Sequence, residues 1–291
     1  MKKIVILGCE NSHANLFLDF IRDNEKYKDV EVIGVYSHEK EPMEKLNEKY
    51  GVKMMSSYDE AVDEVDGIIV VARHGDNHYK YAKPYIKKGI PMFIDKPITV
   101  NEEEAVKFMK ECRENGVRIT GGSCCIHDVD VLELRRAIEE NTNGEVLGGF
   151  VSAPISMEND FGGYFFYAQH LIAIMQTIFG LRPNSVKTEK QGKHFTASYH
   201  YDNFAVTALY TEGCYKYHAT VVAQNGISAK NPDIVYANPC FAEEFDHYYS
   251  LLCGEEQKVS YRDFISAVHI MNATFRALES GNEEEINYPE F

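Results

Sequence analysis

In the first 122 residues, short apolar runs alternate with helical patterns, and this alternation constrains the fold more than any other feature. Residues 4–7, 30–36, 68–71 and 91–94 are near-continuous apolar runs. Such runs suit strands buried on both faces of a parallel sheet. Between them lie amphipathic stretches: Leu16, Phe17, Phe20 and Ile21 share one helical face, residues 43–50 end at Gly51, and residues 78–88 end at Gly89. A further helix over 102–115 stops at Gly116, and a strand follows at 117–120. Strand and helix in this rhythm predict an α/β, doubly wound parallel sheet of Rossmann type over residues 1–122.

After Gly122 the texture changes. Helices are expected over 129–140, 164–179, 241–252 and 261–278, and a strand over 146–152. Residues 195–201, 204–210 and 215–222 alternate apolar with polar, the mark of antiparallel strands with one covered face. Residues 123–291 therefore read as an α+β domain on a mainly antiparallel sheet, suited to substrate binding and oligomerisation. A length of 291 residues accommodates two such domains.

The formal net charge of −15 argues against nucleic acid or an anionic membrane as partner. Seven cysteines, an odd number without framework spacing, suggest reduced thiols and a cytoplasmic location. Cys124 and Cys125 are adjacent rather than two apart, so no metal site is expected there. The apolar run after Met1-Lys2-Lys3 is broken at Glu10, too soon for a secretory signal, and no segment reaches the length of a membrane span.

Chemistry-bearing residues gather at the ends of the expected strands. Asp95-Lys96-Pro97 follows the fourth run. Pro97 has no N–H for a sheet ladder and disfavours helical geometry at Lys96, so the chain leaves the sheet there. Ligands of open α/β sheets sit beyond the strands' carboxyl ends, where Lys96 points; a plain solvated turn is the alternative. The first turn, Gly8-Cys9-Glu10-Asn11-Ser12-His13, stands where a dinucleotide fold carries G-x-G-x-x-G, but keeps only the first glycine. The helix that follows offers free N–H groups and a positive dipole end to a pyrophosphate. Glu10 would repel that group unless it points away, and His13 could donate to a phosphate or crowd the helix. At the end of the second run, Ser37-His38 stands where an acid often holds the ribose diol. A neutral Ser37 tolerates a 2′-phosphate better than an aspartate would, which leans weakly toward NADP over NAD.

Residues 68–78, with Arg73-His74 and His78, followed by Asp95-Lys96-Pro97, resemble the Gfo/Idh/MocA oxidoreductase family. In that family one strand ends in T-P-x-x-x-H and the next in E-K-P. Arg73-His74 replaces Thr-Pro, His78 matches the histidine, Asp95 replaces the glutamate, and Lys96-Pro97 match. Asn143-Gly144-Glu145-Val146-Leu147-Gly148, Gly162-Gly163, His170 and Phe179-Gly180 fit the family's second domain. The resemblance implies a Rossmann domain joined to a substrate domain, and hydride transfer between NAD(P) and a sugar, cyclitol or related polyol. It implies chemical roles for Lys96 and His170; Tyr167, whose phenol can act as donor or acid, could stand beside the substrate in place of a polar group the family carries there. It places Gly8 to His13, Ser37, His38, Arg73, His74, His78, Asp95 and Lys96 around the cofactor. It also implies a homodimer or homotetramer through the second-domain sheet. Phe166 and Ala173 depart from it, because the family usually carries aspartates at those places. Two other readings stay open on that account: a catalytically silent nucleotide- or sugar-binding protein, and a redox-neutral NAD-dependent sugar hydrolase or lyase.

Overall fold

The computed structural model describes residues 1–234 and 239–291. In the first part of the chain, β1 (Lys2–Leu7), α1 (Ser12–Asp23), β2 (Val30–Tyr36), α2 (Lys40–Tyr50), β3 (Gly67–Val70), α3 (Asp76–Ile86), β4 (Met92–Asp95), α4 (Glu102–Glu114) and β5 (Ile119–Gly122) follow one another. The strands form one parallel sheet in the order β2-β1-β3-β4-β5. Every residue of β3 and β4 is buried, which is why their sequences read as continuous apolar runs rather than alternating ones, up to Asp95 at the end of β4. The strand order reverses between β1 and β3, so the crevice that receives ligands in such sheets opens at the carboxyl ends of those two strands.

The second part contains α5 (Val129–Glu139), β6 (Val146–Ile155), α6 (Phe165–Phe179), β7 (Ser185–Gln191), β8 (His194–His200), β9 (Ala205–Glu212), β10 (His218–Ala223), β11 (Gly226–Lys230), α7 (Cys240–Leu252), α8 (Tyr261–Phe264), α9 (Ser266–Ser280) and β12 (Glu284–Glu285). The sheet runs β11-β10-β6-β9-β8-β7-β12. All its neighbouring pairs are antiparallel except β6 with β9. Phe195, Ala197 and Tyr199 of β8 and Val206, Ala208 and Tyr210 of β9 are buried, and the residues between them are not. That is the alternation seen in the sequence. α6 and α9 cover the inner face, and α6 is buried almost all round, as its aromatic and aliphatic composition requires. Strands β7 and β11 are not foreseen, because Lys187, Glu189 and Lys190 leave β7 too polar for an apolar pattern. The single helix expected over 261–278 breaks at Ile265, which is not helical.

The chain divides into two compact units: Met1–Gly122 with Glu244–Phe264 and Phe291, and Ser123–Glu243 with Ile265–Glu290. The expected unbroken domain 123–291 is thus corrected for 244–264. Phe245 and Tyr248 of α7 are fully buried in the core of the first unit. The Phe245 ring lies 5.4 Å from Phe17 and 4.8 Å from Tyr27, and Tyr248 lies 6.2 Å from Phe93. Apolar periodicity announces a helix but not which core it will cover. No helix among the described residues is long and apolar enough to cross a membrane.

Candidate functional site

The turn after β1 is shaped by Gly8. Its φ is +81°, and a Cβ there would lie 2.4 Å from Ala72 Cα, so the ends of β1 and β3 meet at a distance only glycine allows. The Gly8 and Cys9 N–H groups donate to the Tyr36 carbonyl at 2.8 and 3.0 Å. The Cys9 thiol lies in the core, where burial pushes its pKa up to about 12. Its expected contact with a cofactor is therefore corrected: the side chain faces inward, and only the backbone shapes the turn.

Asn11 caps α1, accepting from the His13 N–H at 3.3 Å, and its Nδ2 donates to Asp95 at 3.1 Å. The same Asp95 oxygen lies 2.7 Å from His13 Nδ1, and the other accepts the Lys96 N–H at 2.7 Å. Asp95 is fully buried. Burial alone pushes its pKa up, but the His13 charge and hydrogen bond, with Lys96 beyond, hold it below the usual carboxylate value. The end of β4 is thereby fastened to the start of α1, which fixes where Lys96, itself 5% exposed, begins. The Lys96–Pro97 peptide is cis. Ser12 opens the helix, its Oγ 3.4 Å from Asn11 Oδ1.

Glu10 settles one of the alternatives left by the sequence. Its carboxylate turns from the α1 terminus toward the end of β2, accepting from Ser37 Oγ at 2.7 Å and from the Arg73 N–H at 3.2 Å. His38 stands at the surface, 3.7 Å from Glu39, and His74 lies at the start of α3, accepting from the Asp76 N–H at 3.3 Å. His78 differs from expectation. It is fully buried, with Nε2–H donating to the Ala72 carbonyl at 2.9 Å, and burial lowers its pKa against the pull of Asp95. A ligand cannot touch it, so it holds the β3 loop instead.

In the second unit, His170 of α6 is buried, and its Nδ1 lies 2.8 Å from Ser123 Oγ and 3.4 Å from Cys125 Sγ. The Cys125 thiol is also fully buried, which raises its pKa, but Cys124, His170 and Ser123 together pull it well below the usual thiol value. The Tyr167 ring lies 6.1 Å from His170 and 4.8 Å from Phe166. Ser123 and Cys125 were missed as partners of His170; the adjacent cysteines were the only signal. Among the described residues, no group of three His, Cys, Asp or Glu side chains could hold a metal ion.

Residues 2–123 match the model of the Gfo/Idh/MocA group, an oxidoreductase family with an NAD-binding Rossmann fold. The N-terminal domain belongs to that family. A stretch of 170 residues, 52% of this chain, is 25% identical to an uncharacterized oxidoreductase of Streptococcus pneumoniae serotype 4. Another of 97 residues, 33% of the chain, is 27% identical to the uncharacterized oxidoreductase YhhX of Escherichia coli K12. These matches span 46% and 28% of the relatives' own lengths. Both domains share their fold with scyllo-inositol dehydrogenase from Lactobacillus casei, solved with NAD(H) and scyllo-inositol. The TM-score is 0.84 at 12% identity, over 98% of this chain and 99% of that one.

Proposed function

We propose that this Gfo/Idh/MocA protein is a cytoplasmic NAD(P)-dependent oxidoreductase that moves a hydride between a nicotinamide cofactor and a sugar, cyclitol or related polyol. The observation that carries the reading is the buried Asp95, which ties the Lys96 strand end to the start of α1 inside a domain of an NAD-binding family. The turn suits a dinucleotide: Gly8 brings β1 against β3, Asn11 caps the helix, and Glu10 is drawn away from the helix end. The Gly8 turn and Asn11, Ser12 and His13 at the start of α1 would hold the pyrophosphate, with Ser37 beside the adenosine ribose and Arg73 and His74 flanking.

A bound nicotinamide supplies the acceptor for hydride. Lys96 takes the substrate hydroxyl proton or steadies the oxygen's developing negative charge. His170, with Nδ1 engaged by Ser123 and Cys125, presents Nε2 to a substrate hydroxyl. Tyr167 gives that side an aromatic wall and a phenol donor. Exposed Ile227 on β11, at the edge of the second-domain sheet, supports a homodimer or homotetramer formed there.

Calorimetric titration with NAD(H) and NADP(H), after a check for cofactor carried through purification, tests the first half of the proposal. Micromolar binding is expected, and no binding of any form overturns it. Turnover on scyllo-inositol and related polyols tests the second half. Lys96→Ala should cut kcat by about 10²–10⁴-fold with the fold retained by circular dichroism. Unchanged turnover removes Lys96 from the chemistry, and tight cofactor binding without turnover of any polyol points to a silent binding protein.

A further inference from the structure

We propose that Glu10 is the acid that reads the adenosine ribose, supplied from the first turn instead of the second strand, and that it selects NAD(H) over NADP(H). The inference rests on the cofactor reading above. The end of β2 has no acid of its own, since Ser37 stands there. The structure nevertheless puts a carboxylate at that place. Glu10 Oε2 lies 2.7 Å from Ser37 Oγ, and Oε1 accepts the Arg73 N–H at the end of β3. These contacts hold the carboxylate at the crevice where the strand order reverses.

The direction of the hydrogen bonds matters. Ser37 Oγ accepts the Glu39 N–H at 3.0 Å, so its own proton goes to Glu10. Each carboxylate oxygen keeps a lone pair beyond these two bonds, and an ionised carboxylate has no donor. A ribose diol, with two hydroxyl donors, meets such a surface well; a 2′-phosphate, made only of acceptors and negative charge, does not. The surroundings sharpen the repulsion. Glu10 is 4% exposed, and its charge acts on Tyr36 and Tyr81, whose hydroxyls burial already pushes above their ordinary pKa. Those two rings cluster with Tyr58, 5.2–5.8 Å apart. Aromatic walls lower the local dielectric, and like charges repel more strongly there. This reverses the lean toward NADP that Ser37 gives when read alone.

The test is calorimetry of NAD(H) and NADP(H) with the wild-type protein and with Glu10→Gln, Glu10→Asp and Glu10→Gly, each variant checked for fold by circular dichroism and melting. The wild type should prefer NAD(H) by about 30-fold or more, the scale of one hydrogen bond to a charged group plus repulsion of a phosphate. Glu10→Gln should bring the two within about 3-fold of each other. Glu10→Asp, which keeps the charge but withdraws it, should weaken NAD(H) without admitting NADP(H). Equal wild-type binding of both cofactors, or a preference that survives Glu10→Gln, overturns the assignment and leaves the cofactor reading standing. Binding that appears only in Glu10→Gly also overturns it, because Glu10 then blocks the site. If no protein binds either cofactor, both this inference and the cofactor reading fall.

Discussion

Each of the two units fixes one imidazole through Nδ1, but with partners of different kinds. In the first, His13 meets a carboxylate, Asp95, at 2.7 Å. In the second, His170 meets a hydroxyl at 2.8 Å and a thiol at 3.4 Å. A carboxylate is charged over almost the whole working pH range, so the first arrangement is an ion pair whenever His13 is protonated. A thiol is charged only if its surroundings make it so, and here Cys124, His170 and Ser123 pull the Cys125 thiol well below its usual value. The first fastens a turn to a strand. The second sets an ionisable sulfur beside an imidazole.

The largest expected effect lies at Asp95. Asp95→Asn puts an NH₂ donor against at least one of three donors, Asn11 Nδ2, the Lys96 N–H and protonated His13, in a site with no exposure. Breaking one partner of a buried network costs about 3 kcal/mol, read as a fall in the urea midpoint. The sign with pH follows from the lowered carboxyl pKa. The contribution is fully present above the unfolded value of 3.8 and is lost as pH falls through the folded one. The gap between wild type and Asp95→Asn should close below pH 4; a gap that stays constant into acid would mean that Asp95 acts only by its shape.

Much of this was legible in the sequence, for a physical reason. Parallel strands buried on both faces leave continuous apolar runs, and Asp95-Lys96-Pro97 marks where one of them ends, so the first sheet and its strand-end residues are readable from the sequence alone. Side-chain direction is not. Glu10 could have faced the helix or left it, and its bonds to Ser37 and to the Arg73 N–H, 27 and 63 residues away, decide. His78 matches a motif that would place it by the cofactor, yet it is spent on the Ala72 carbonyl. The Ser123–His170 contact spans 47 residues with no periodic signal linking them. Phe245 and Tyr248 leave the second half of the chain for the core of the first because aromatic rings fill space wherever the topology brings them.

The second effect, smaller, tests whether the His170 partner is charged. Cys125→Ser keeps a donor of similar size and removes the ionisable sulfur, at a cost of about 1–2 kcal/mol. Thiolate absorbance near 240 nm should be present in the wild type at pH 7 and absent in Cys125→Ser and in His170→Gln. Because the folded thiol pKa lies well below 9.0, its contribution is fully present above pH 9 and fades as pH falls through the folded value. Wild type should therefore gain on Cys125→Ser as pH rises toward 9. Equal absorbance in all three proteins would leave His170 with a neutral partner and erase the contrast in how the two imidazoles are held.

The smallest effect is a control built into the second unit. Tyr199 Oη lies 2.7 Å from Tyr210 Oη and 2.8 Å from Thr274 Oγ1, and Thr274 in turn donates to the Ile270 carbonyl at 2.7 Å. All three side chains are fully buried. Burial pushes the Tyr199 hydroxyl up to about 12, so nothing in this chain of hydroxyls titrates between pH 4 and 9. Tyr199→Phe should cost about 1 kcal/mol, the worth of one neutral buried hydrogen bond, and that cost should be flat across the range. A buried polar network is thus sensitive to pH only where one of its members can hold a charge. If the Tyr199→Phe penalty instead varied with pH as the Asp95 and Cys125 penalties are expected to, the variation would belong to the fold as a whole, and neither histidine site could be credited with it.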